Sequence, residues 1–76
     1  MRGQARVLPI GRDDLLGAAF SAGAARRRRL PYWPDDDERD AAFADWLGIM
    51  WRHHRETIEA LGQEVIRVEF SKGWRS

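Results

Sequence analysis

The chain has 76 residues, no cysteine and a formal net charge of +1. That length suits one small domain, which buries only roughly 60% of its unfolded surface; without cysteine, no disulfide can staple it and no thiolate can bind a metal. So small a net charge gives no bulk attraction to a polyanion, and no run approaches the ~20 apolar residues that a membrane span requires.

The opening "MRGQARVLPIGRDD" lacks the apolar core of a secretory signal, so a cytoplasmic protein with no membrane association is expected. Within it, Ala5 to Ile10 reads as a short strand, with Pro9 confining it to an edge or a strand end. Gly11 marks a turn, and Asp13 or Asp14 is placed to cap the helix that follows. That first helix is expected over 14–29. Leu16, Ala19, Phe20 and Gly23 form its apolar stripe at i, i+3, i+4, i+7 spacing. Its other residues are mostly small, which suits close approach of another element. Pro31 then drives Leu30 out of helical geometry, and "LPYWP" becomes a stiff connector.

The second helix begins near residues 35–37, where Asp35 and Glu38 have capping-box spacing. It extends to Leu61, and Gly62 stops it. Phe43, Leu47, Met50, His54, Ile58 and Leu61 share one face, flanked by Trp46 and Trp51. Asp45, Arg52, Arg55, Glu56 and Glu59 share the other. The sequence leaves open whether Gly48 divides this helix. Glu64 to Phe70, "EVIRVEF", reads as the clearest strand, because Ile66, Val68 and Phe70 alternate with charged residues.

The expected fold is therefore α+β: one β-α-α-β domain over 1–76, with a helical hairpin packed on a two-stranded antiparallel sheet. Two strands alone are marginal in water, so pairing of their free edges in a homodimer is the natural remedy.

The charge pattern is densest in "RRRRLPYWPDDDERD", residues 26–40. Consecutive helical residues point about 100° apart, so the four arginines fan around a helix end instead of forming one face. Cations suit a helix C-terminus and acids an N-terminus. The stretch holds five arginines and five acids, and its charges cancel. Attention moves to the proline-flanked pair Tyr32 and Trp33 and the acids Asp35, Asp36, Asp37, Glu38 and Asp40, because aromatics dominate interface energetics. A different basic patch, Arg2, Arg6 and Arg12 with Arg67, Lys72 and Arg75, would share one surface if the two strands are neighbours. It supports the alternative of a small nucleic-acid-binding regulator. Adjacent His53 and His54 cannot ligate one ion from the same face. No nucleophile elbow or phosphate loop occurs, so neither catalysis, a cofactor nor a metal site is expected.

The stretch "AAFSAGAARRRRLPYWPDDDERDAAFADW", with the small size, missing cysteine and expected βααβ plan, resembles the small proteins of phages and mobile elements. Among these it resembles anti-CRISPR inhibitors of type I surveillance complexes. The resemblance implies a non-enzymatic blocker in a bacterial host cytoplasm. Its partner would be a subunit of a CRISPR surveillance complex, and target DNA binding would be blocked. Asp35 to Glu38 and Asp40 would then face the partner's basic residues. A phage accessory or assembly protein is a further alternative.

Overall fold

The computed structural model describes residues 10–76. They form three α-helices: α1 Arg12–Arg28, α2 Asp36–Leu61 and α3 Gln63–Arg75. Among the described residues there is no strand. The α+β expectation is therefore overturned, and the domain is a helical bundle. Of the two expected strands, residues 5–9 lie outside the described residues, and "EVIRVEF" lies wholly within α3.

The reason is visible in which residues α3 buries. Ile66, Phe70, Gly73 and Trp74 are buried, at the i, i+4, i+7, i+8 spacing of a helix. Val65 and Val68 are about half exposed. Alternation at 66, 68 and 70 is a coincidence of a stripe that repeats at 3.6 residues. Ion pairs three apart, Glu64–Arg67 and Glu69–Lys72, add to the helical arrangement. The β-branched valines carry only a weak preference, which packing overrides.

Helix α1 begins without a side-chain cap. Gly11 is its N-cap, and Asp13 and Asp14 fall in the first turn instead of capping, where they still face the positive end of the helix. Its buried stripe is Leu15, Ala19, Gly23 and Ala24; Phe20, expected inside, is 38% exposed. Helix α2 has the expected cap: the Asp35 carboxylate accepts from the Glu38 backbone N–H at 2.9 Å. It passes through Gly48 unbroken. Its kink falls at His54, with φ −136° and ψ 33°, and beyond the kink Thr57 and Ile58 are buried. Gly62 (φ 90°) ends it in a conformation that glycine tolerates and other residues rarely adopt.

The two turns make α1 and α3 run parallel, with α2 antiparallel to both. Thr57 Oγ1 donates to the Ile10 carbonyl at 2.9 Å, while Arg26 meets Asp45, which fixes the direction of α2 against α1. The core joins all three helices through Leu15, Ala19, Phe43, Trp46, Ile58, Ile66, Phe70 and Trp74. Phe70 is fully buried at its centre, with ring centroids of Phe43, Trp46 and Trp74 at 5.3, 5.9 and 6.1 Å. The closest helix pair is α1 with α3. A Cβ built on Gly23 would fall on the Phe70 carbonyl oxygen, and one on Gly73 would fall on that of Phe20. Glycine at both positions is what lets the two backbones touch.

Candidate docking surface

Because α1 and α3 are parallel, their C-terminal ends meet the start of α2 at one pole of the bundle. The arginine run is divided there among different tasks. The Arg26 guanidinium holds the Asp45 carboxylate at 2.7 Å. That of Arg27 lies over the Trp33 ring, 4.1 Å from its centroid, a cation–π distance. Arg28 and Arg29 are exposed at the end of the helix. The run therefore does not form one basic face.

The connector is tied down at several points. The Leu30 N–H donates to the Arg27 carbonyl at 3.2 Å. Pro34 is buried, and Asp35 caps α2. The Tyr32 hydroxyl donates to the Glu38 carboxylate. That bond raises the Tyr32 pKa above its ordinary value, with smaller contributions from burial and from the Glu38 and Asp35 charges. Between these anchors Trp33 is 81% exposed. Beside the turn, a cleft of about 350 Å³ is lined by Arg26, Arg29, Leu30, Glu38, Ala41, Ala42 and Trp74.

The residues singled out from sequence separate into groups. Tyr32, Trp33, Asp35 and Glu38 form one connected turn. Asp36, its side chain 88% exposed, lies 3.6 Å from Arg39. Asp37 is exposed at the beginning of the outer face of α2. Asp40 belongs elsewhere: it pairs with Arg39 at 3.3 Å and Arg67 at 4.0 Å, toward α3.

Of the proposed basic patch, Arg67, Lys72 and Arg75 line one groove along α3, together with Arg39 and Glu64. Arg2 and Arg6 lie outside the described residues. Arg12 opens α1 while Arg75 closes α3, so the parallel helices set them at opposite poles. Arg67 is held by Glu64 at 3.4 Å and Lys72 by Glu69 at 3.0 Å.

Sequence reading missed Arg27 as the support of Trp33; its cue was a cation and an indole on either side of a turn stiffened by two prolines. Trp51, expected to flank the apolar face of α2, is 37% exposed. Among the described residues, no helix is long and apolar enough to cross a membrane. Fold and surface define a small three-helix domain that displays a braced aromatic turn. Comparison with protein-family models, with curated proteins and with solved structures gave no match.

Proposed function

We propose that this chain is a non-enzymatic protein-binding domain that docks through the turn holding Tyr32 and Trp33, with Asp35 and Asp36 alongside. The observation that carries the reading is Trp33, held over Arg27 yet 81% exposed. An indole buries ~150–250 Å². Covering the exposed part is worth roughly 3–5 kcal/mol at ~25 cal/mol per Å². The turn is already ordered, so little conformational freedom is lost when a partner covers it. The carboxylates beside it favour a partner pocket that is apolar at its base and basic at its rim.

The specific form of the proposal, carried from the sequence resemblance, is an inhibitor that occupies a DNA-binding surface of a type I CRISPR surveillance complex. The βααβ plan no longer contributes to that resemblance. Size, the absence of cysteine and the charge clusters remain in its support.

Titration calorimetry of the purified complex with the wild-type chain and with a W33A/D36R variant tests both levels. The wild type binds and prevents target DNA binding, while the variant, with unchanged helicity, loses at least ~2 kcal/mol of affinity. Undiminished binding by the folded variant removes the turn as the interface. If the complex does not bind the wild type at all, the inhibitor assignment fails. Capture from a host lysate by wild type but not by W33A/D36R would then retain the docking role alone. Salt provides an independent check, since duplex DNA binding falls with a log–log slope of ~0.9 per phosphate contacted, and a buried aromatic contact weakens far less.

A further inference from the structure

A second surface runs along α2, beginning at Asp37 beside the turn and leading away from it. Asp37, Ala41, Ala44, Gly48, Trp51 and Arg55 are all exposed. From Asp37 to Trp51 their spacing alternates four and three, the period of a seam between two helices, and Arg55 follows one residue beyond the kink at His54. Ala44, Leu47, Gly48 and Trp51 line a shallow groove of about 280 Å³ beside Gln63 of α3. A Cβ on Gly48 would meet nothing within 4 Å, so no close packing among the described residues calls for glycine at the middle of this helix.

The stripe is polar in two senses along its length. It runs from an acid, Asp37, to a base, Arg55, and from small residues, Ala41 and Ala44, to a large one, Trp51. Among the described residues, neither Asp37 nor Arg55 has an ion-pair partner. The Arg55 guanidinium lies 5.8 Å from the centroid of the Trp51 ring.

Such a stripe is complementary to its own reversed copy. We infer that α2 pairs antiparallel with α2 of a second copy of this chain, crossing where Ala44 of each faces Gly48 of the other. That register sets Trp51 against Ala41 and Arg55 against Asp37, each twice by the two-fold symmetry. Large side chains meet small ones, opposite charges meet, and the helix axes approach closely at the alanine and glycine. From 37 to 51, before the kink, the seam is ~21 Å long at 1.5 Å per residue. One helix pair buries less than the ~800 Å² per partner of a standard interface, so the dimer is weak and depends on concentration. It replaces the expected sheet-edge pairing, for which the described residues supply no strand.

Sedimentation equilibrium from micromolar to near-millimolar chain tests the pairing. The apparent mass rises from 8.8 kDa toward twice that value. D37R and R55D each weaken association about tenfold, and the D37R/R55D double variant restores it to within a few-fold of wild type. These side chains are exposed, and circular dichroism confirms that each variant folds. A one-to-one mixture of A44C and G48C chains, oxidised together, gives a disulfide-linked heterodimer in excess of either homodimer. A mass of 8.8 kDa across the range overturns the inference, as does association indifferent to the single reversals or not rescued by the double one. W33A leaves the dimer unchanged, which keeps this test separate from that of the docking turn.

Discussion

Gly23→Ala tests the contact that holds the bundle together. On an open helix surface, glycine to alanine stabilises by ~0.5–1 kcal/mol, because the unfolded chain loses freedom. At Gly23 the added Cβ falls on the Phe70 carbonyl oxygen and lies 3.0 Å from the Trp74 nitrogen. Both are backbone atoms of α3, so no side-chain rotation relieves the overlap and the helices must separate. Overpacking a core costs ~1–3 kcal/mol, and a backbone collision belongs at the upper end. Subtracting the propensity gain leaves a net destabilisation of ~2 kcal/mol. A domain of this size has a total stability of ~4–11 kcal/mol. The melting temperature should fall by ~8–16 °C. Gly17 is the internal control, since nothing lies within 4 Å of its built Cβ, and Gly17→Ala should stabilise by ~0.5–1 kcal/mol. Urea unfolding followed by circular dichroism measures both variants. If Gly23→Ala matches or exceeds wild-type stability, the close approach of α1 and α3 is wrong.

The single tyrosine offers a titration free of overlap. Its near-ultraviolet tyrosinate signal should have a midpoint above 10.0, because the hydroxyl donates to Glu38; Glu38→Gln should move it back down. The sign follows from a raised folded pKa: the stabilising contribution is full below the unfolded value and is lost as pH rises through the folded one. Phe70→Ala should cost ~3–5 kcal/mol, enough to leave much of the chain unfolded in a thermal melt. Asp35→Ala removes the cap of α2 and should cost ~1 kcal/mol by urea unfolding, without disturbing the α1–α3 contact.

What was legible in the sequence depended on how many local signals agreed. Around Asp35 and Gly62, capping chemistry and apolar period pointed to the same helix, and α2 spans 36–61 with only a small shift at its start. At α3 the signals conflicted. The β-branched residues and the short alternation Ile66, Val68, Phe70 favoured a strand, whereas Ile66, Phe70, Gly73 and Trp74 describe a helical stripe running into the tail. Gly73 was the residue to weigh, since its value appears only when another helix lies against it. The small residues of α1 did indicate a close neighbour, but identifying that neighbour required knowing that α3 is a helix. The turn proposed for docking was legible because proline, aromatic and acid lie consecutively. The stripe inferred to pair on α2 was not, because alanine and glycine on a helix surface carry no signal until their exposure is known.

The Gly23–Phe70 contact joins segments nearly fifty residues apart in the chain. Helical bundles usually fold fast because neighbouring helices meet first. Here the tightest pair is the first and last helices, so a large loop must close before their mutual packing is gained. Helix α1, rich in alanine and glycine and only 17 residues long, has little to hold it together before then. Its order should therefore arrive late, with α3. Mutations at the crossing should slow folding if that encounter is the rate-limiting event, and speed unfolding if it follows.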